Sequence, residues 1–172
     1  MNSERDALTE ILEHRRNANQ DIVVVEAPTV KLVVFAVGED LFAFPGAGIT
    51  EILPITTIYF VPGCPSSLEG VINVRGDITS VIRLGDLLGV EHAASDRRTA
   101  ILLGRGNAMC SGLRVDQVLD VLDVLEERIQ PPPSTLPERL QSWTAGVLVY
   151  QGRSVLVLDL ERLLQDYQAG LA

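Results

Sequence analysis

Gly70-Val-Ile-Asn-Val-Arg-Gly-Asp-Ile-Thr-Ser-Val-Ile-Arg-Leu-Gly-Asp-Leu-Leu88 reads as strand, tight turn, strand and short helix. Val71, Ile72 and Val74 favour extended backbone. Arg75-Gly76-Asp77 marks the turn, because a glycine takes positive φ without a steric penalty. Ile78, Val81 and Ile82 resume the apolar run. Leu84, Leu87 and Leu88 then fall at helical spacing, and Gly89 stops the helix.

The stretch occurs twice. Gly146 to Leu164 aligns with Gly70 to Leu88 without a gap, displaced by 76 residues. Gly70/Gly146, Val71/Val147, Gly76/Gly152, Val81/Val157, Leu84/Leu160, Leu87/Leu163 and Leu88/Leu164 are identical. These include the opening glycine, the turn glycine and the helical leucines, the positions that local structure needs. A weaker echo precedes each copy: Ile49-Thr50-Glu51-Ile52-Leu53 matches Val115-Asp116-Gln117-Val118-Leu119, displaced by 66. Two echoes in the same order point to duplication and to two similar β-rich lobes. Two copies are too few for a solenoid.

At 172 residues and 47% hydrophobic, the chain has material for a real core. Its net charge of −9 argues against nucleic acid or an anionic membrane surface as the main partner. The two cysteines, Cys64 and Cys110, lack CxxC spacing and read as reduced thiols. The polar N-terminus lacks the apolar run of a signal peptide, and no run approaches a membrane span, so a cytoplasmic location is expected.

Ser3 to Arg16 reads as a short helix with Ser3 and Asp6 as an imperfect capping box. Its thin stripe, Leu8, Ile11 and Leu12, reads as packing on its own domain or fraying rather than docking a partner. A polar linker and the β-branched run Ile22 to Glu26 follow. Strands are expected at Val30–Val37 and Leu41–Phe44, paired across Gly38-Glu39-Asp40, and then at Ile49–Leu53 and Ile58–Val61. After a polar linker, strands follow at Thr99–Leu103 and Met109–Val115. In Val118–Val124, Val118, Asp120, Leu122 and Val124 share one face of a strand. Gln130 to Ser134 is a stiff spacer, and Pro137 to Trp143 forms one or two helical turns. Leu160 to Tyr167 closes the chain as an amphipathic helix capped by Asp159. The units read as an N-terminal extension (1–29) and one domain (30–172), with a first repeat at about 30–90 and a second at about 98–167.

Catalytic chemistry finds little footing. The two histidines, His14 and His92, lie in the extension and the inter-lobe linker and read as solvated. No HExxH or clustered metal-ligand spacing appears, and neither GxGxxG nor a phosphate loop is complete. Asp116, Asp120 and Asp123 read as a solvated face. No cofactor is expected, and a non-catalytic module remains. Arg75 places a guanidinium at a hairpin tip within an apolar stretch. It either bridges to a carboxylate, with Glu51 the candidate, or is a turn arginine without a role; spacing leaves both open.

Pro62-Gly63-Cys64-Pro65, then Leu68 to Gly76, then Val81-Ile82 and Leu84, resemble the signature of the CheW-like domain family. Leu32 to Phe35, Ile49-Thr50-Glu51-Ile52, Val115-Asp116-Gln117-Val118 and Gly146 to Leu160 resemble its flanking elements in the right order. The resemblance covers about residues 30 to 167. It implies a mostly β fold of two SH3-like β-barrel lobes with a hydrophobic junction, with strand exchange between lobes left open. It also implies an adaptor, not an enzyme, that couples a chemoreceptor's cytoplasmic hairpin tip to the regulatory domain of a CheA-type histidine kinase. Pairing with other CheW-like domains is implied too. Carried onto this chain, Arg75, Glu51, Ile49, Ile52 and Asn73 are the receptor-facing residues. The family usually has Pro at Ser80, Asp at Arg83 and Arg at Gly85. Asp86 is expected to take over part of the capping and charge role. These departures keep a second reading open, an adaptor of a non-flagellar array for pilus motility or surface sensing. The alternative of a different class is a sensor that binds a small molecule between the lobes.

Overall fold

The computed structural model describes Ala7, residues 9–12 and residues 27–170. In chain order the elements are β1 (Thr29–Val37), β2 (Asp40–Pro45), β3 (Ile49–Pro54), β4 (Leu68–Val74), β5 (Asp77–Arg83), α1 (Leu84–Leu88), β6 (Ala100–Arg105), β7 (Cys110–Val115), β8 (Gln117–Leu125), α2 (Glu138–Trp143), β9 (Thr144–Tyr150), β10 (Arg153–Leu158) and α3 (Leu160–Gln168). The strands form two five-stranded sheets, in the orders β8-β1-β2-β10-β9 and β3-β6-β7-β5-β4.

Each sheet takes strands from both halves of the chain. Hairpin β1–β2 lies among β8, β9 and β10, and hairpin β6–β7 lies among β3, β4 and β5. The two orders superpose when β3 is set on β8, β4 on β9 and β5 on β10. Each sheet has one parallel contact in the same place, β10 with β2 and β5 with β7. The two duplicated hairpins also share a turn. Arg75 and Gly76 have φ of 51° and 94°, and Gln151 and Gly152 have 47° and 76°. Positive φ at both central residues is the two-residue type I′ geometry, whose twist matches that of paired strands.

The largest core is shared by both sheets. Val33, Phe35, Phe42 and Phe44 meet Ile82, Leu102 and Leu113, and α1 and α3 close over them with Leu84, Leu87, Leu88, Leu160, Leu163 and Leu164. Alternate residues of β1, Leu32 and Val34, point into a second core with Val155 and Val157. β1 is therefore buried on both faces, which explains its unbroken apolar run. A smaller core of Ile72, Val81 and Ile101 lies within the other sheet, with Leu53, Val74 and Leu103 only half-buried against it.

Several expectations change. Ile58–Val61 is not a strand; Tyr59 makes a single bridge to Val71. Ile11 and Leu12 are 58% and 63% exposed, so this part of the N-terminal stripe does not pack on the sheets. The Ser3/Asp6 cap, Leu8 and the run Ile22 to Glu26 lie outside the described residues. Among those described, no helix is long and apolar enough to cross a membrane.

Candidate functional site

β3 and β4 are the two edges of one sheet, and an ion pair reaches from the β4–β5 turn to β3. Arg75, at the tip of the β4–β5 hairpin, donates from Nη1 to Glu51 Oε1 at 2.9 Å and from Nη2 to Oε2 at 2.5 Å. The fork of the guanidinium matches the two carboxylate oxygens, and this bidentate geometry fixes direction as well as distance. The tip is set by the turn below it. Asn73 Oδ1 accepts from the Gly76 N–H at 2.8 Å and holds the two positive-φ residues in place. The hydrogen bond from Arg75 holds the Glu51 carboxyl below the usual carboxylate range, with burial opposing it and the guanidinium charge adding to it. The same hydrogen bond raises Arg75. The arginine side chain remains 72% exposed, so its stem and one face of the fork are open to a partner.

The pair stands on the rim of an open groove of about 430 Å³. Val74 and Leu103 are its apolar lining beside Thr50, Thr79 and Ser111, and Glu51, Arg75, Asp77 and Arg105 add both signs of charge. A notch of about 230 Å³ adjoins it, between Leu53 and Pro54 on one side and Ile72 and Asn73 on the other. A groove of mixed polar, charged and apolar lining suits a polypeptide surface.

Of the expected site residues, the structure brings Arg75, Glu51 and Asn73 together at the hairpin tip. Ile52 is 39% exposed and alternates with Glu51 and Leu53, so it projects from the opposite face of β3. Ile49 is half-buried against the core that the two sheets share. Arg105 and Cys110 were not anticipated on the groove. They arrive because β5 lies parallel to β7, a pairing between distant segments that no local pattern signals.

Two residues expected in solvent are not there. The His92 and Asp116 side chains are 3% and 9% exposed and meet at 2.8 Å between Nδ1 and Oδ1. Asp116 lies between β7 and β8, where the chain passes from one sheet to the other, and is drawn inward by donors. By contrast Asp120 and Asp123 stay exposed, taking Tyr150 Oη at 3.1 Å and Lys31 Nζ at 3.2 Å. Ser80 meets Ser111 at 2.8 Å between hydroxyls, tying β5 to β7. Arg114, also buried, donates to Glu69 at 2.6 Å. Asp86 does not cap α1; it lies 3.8 Å from Arg83.

Residues 31–168 match the family model described as CheW-like domain. A Rhizobium etli protein named "Probable chemotaxis protein CheW" is 30% identical over 142 residues, 83% of this chain and 92% of that protein. The chemotaxis protein CheW of Rhizobium meliloti is 30% identical over 76% of this chain and 84% of its own length. Among solved structures, the scaffolding protein TtCheW from Thermoanaerobacter tengcongensis superposes with a TM-score of 0.72 at 26% identity, over 81% of this chain and 90% of that one. The chain belongs to the CheW-like domain family and is a chemotaxis coupling adaptor.

Proposed function

We propose that this protein couples the cytoplasmic hairpin tip of a chemoreceptor to the regulatory domain of a CheA-type histidine kinase, through protein contacts alone. The observation that carries the reading is the bidentate Arg75–Glu51 pair, held on an exposed turn beside an open groove lined by polar, charged and a few apolar side chains. A helical hairpin offers that groove apolar anchors at helical spacing and charged flanks for the rim. Arg75 presents its open guanidinium edge to a receptor carboxylate or carbonyl, while Glu51 fixes its orientation. Asn73 supports the turn from below, Ile52 offers an apolar contact on the opposite face of β3, and Ile49 packs inward behind the strand.

The test is co-elution of the purified chain with a receptor cytoplasmic hairpin and with a CheA-type regulatory domain, wild type beside Arg75→Glu. Loss of receptor binding with kinase binding kept supports the assignment. Kinase binding alone in the wild type removes the receptor role from this face, and binding to neither removes the coupling function.

A further inference from the structure

Helix α1 begins without the cap that its counterpart has. At the start of α3, Asp159 accepts from the Arg162 N–H at 3.1 Å. Arg83 holds the same place before α1 and offers no acceptor. The Gly85 N–H, in the first turn of α1, instead donates to Nε2 of His92 at 2.9 Å. Nδ1 of the same ring lies 2.8 Å from Asp116 Oδ1. A backbone N–H on one nitrogen and a carboxylate on the other require a neutral imidazole with its proton on Nδ1. The His92 side chain is 3% exposed, with Gly85 and Asp116 as its hydrogen-bond partners.

Room for the ring is built into the backbone. A Cβ on Gly85 would fall 2.4 Å from the Val90 carbonyl oxygen, 2.7 Å from Cδ2 and 2.8 Å from Nε2 of His92. A Cβ on Gly38, in the β1–β2 turn, would fall 2.5 Å from the Glu91 carbonyl oxygen. The connector that leaves α1 is threaded between these two glycines. Asp116 Oδ2 then ties both sides, accepting from Gly38 N–H at 2.6 Å and Ala93 N–H at 2.8 Å. The charged groups about the ring are Asp116 on Nδ1, Arg83 and Asp86 at the start of α1, and Glu39, Asp40 and Glu91, which line the same open depression as His92.

We propose that His92 is the cap of α1, standing in for the missing carboxylate, and that it makes the connector from α1 to β6 a proton-operated latch. A proton from bulk water taken up on the Nε2 lone pair sets two N–H donors against each other. The hydrogen bond from Gly85 breaks, and the charged ring is left to Asp116 and the surrounding carboxylates. α1 is then uncapped while the Asp116 contacts with Gly38 and Ala93 remain. The proposal does not depend on the partner reading above.

The experiment is nuclear magnetic resonance on the full chain. The His92 ring signals are followed between about pH 5 and about pH 8, together with the exchange protection of the Gly85 amide. His14→Ala identifies the signals of the other histidine. The expected result is a fall in Gly85 protection of about twofold to thirtyfold, the span of a cap, in step with ring protonation. His92→Gln keeps an uncharged acceptor and holds Gly85 protected across the range. In a second arm near pH 7.5, His92→Ala lowers Tm by about 2–8 °C. Arg83→Asp recovers most of that loss in the His92→Ala background and changes the wild type far less. A Gly85 amide indifferent to ring protonation, or a ring neutral throughout the range, rejects the latch. Equal effects of Arg83→Asp in both backgrounds reject the cap. If His92→Ala does not fold, Gly85 protection in His92→Gln decides in its place.

Discussion

An alanine Cβ at Gly70 would lie 2.2 Å from the carbonyl oxygen of Tyr59. Tyr59 and Val71 exchange two backbone hydrogen bonds, 2.8 and 2.9 Å long, so the chain covers edge strand β4 at this glycine. The second half repeats the arrangement. Gln130 and Val147 pair at 2.8 Å both ways, and a Cβ on Gly146 would lie 2.7 Å from the Gln130 oxygen. The duplicated glycine makes room for a segment that shields an otherwise open edge.

Gly70→Ala and Gly146→Ala are therefore each expected to destabilise the fold by about 1–3 kcal/mol or more, as overpacking does. Urea unfolding should show a lower midpoint with unchanged slope. A loss under about 0.5 kcal/mol at either site would mean that the covering segment moves aside freely.

Leu87 is 2% exposed in the core between the sheets, and Ile78 is 69% exposed on β5. Leu87→Ala is expected to cost about 2–5 kcal/mol. Ile78→Ala should stay within about 0.5 kcal/mol. Similar losses at both would contradict the packing of α1.

The Arg75–Glu51 pair is exposed at its arginine end, where solvent weakens ion pairs. Arg75→Glu should leave the thermal transition nearly unchanged and weaken receptor-hairpin binding about tenfold or more. The charge-swapped variant, Arg75→Glu with Glu51→Arg, restores the pair and should not restore binding. Recovery of binding in the swap, measured by titration calorimetry, would mean that the pair only braces the hairpin.

Burial pushes the Asp116 carboxyl up, but the Ala93 and Gly38 N–H donors and His92 together overcome it and hold the group below its ordinary value. A carboxylate lowered on folding contributes stability above its unfolded pKa, near ~4, and that contribution is lost as pH falls through the folded value. Asp116→Asn leaves at least one of these donors without an acceptor and should cost about 1–3 kcal/mol at neutral pH. The gap to wild type should close below about pH 4. A gap that stays constant into stronger acid would rule out the ionised carboxylate as its source.

Much of the local structure was legible. Both hairpins, the Asp159 cap and the inward leucines of α3 follow from periodicity and turn chemistry. In β8 the expected common face of Val118, Asp120, Leu122 and Val124 is broken: Leu122 and Val124 pack in the second core, Asp120 is exposed, and a register shift turns Val118 to the core that the two sheets share. The pairing of Arg75 with Glu51 was a candidate because an arginine on a turn within an apolar stretch needs an acceptor. His92 was not legible. It sits in a polar linker, and nothing within that linker shows that Gly85 and Asp116 converge on it. The departures at Arg83 and Gly85 fit the ring, one removing a cap and the other leaving room for its substitute and for the Val90 carbonyl.

The sequence by itself determined the duplicated unit, its turns and the faces of its strands, because those depend on neighbours a few residues apart. Only the tertiary structure decided that each sheet borrows a hairpin from the other half, that β5 runs beside β7 to build the groove, and that His92 is buried. These are contacts between segments far apart in the chain. Their partners are selected by the shared core and by the need to satisfy every buried donor, and neither condition is written in any local pattern.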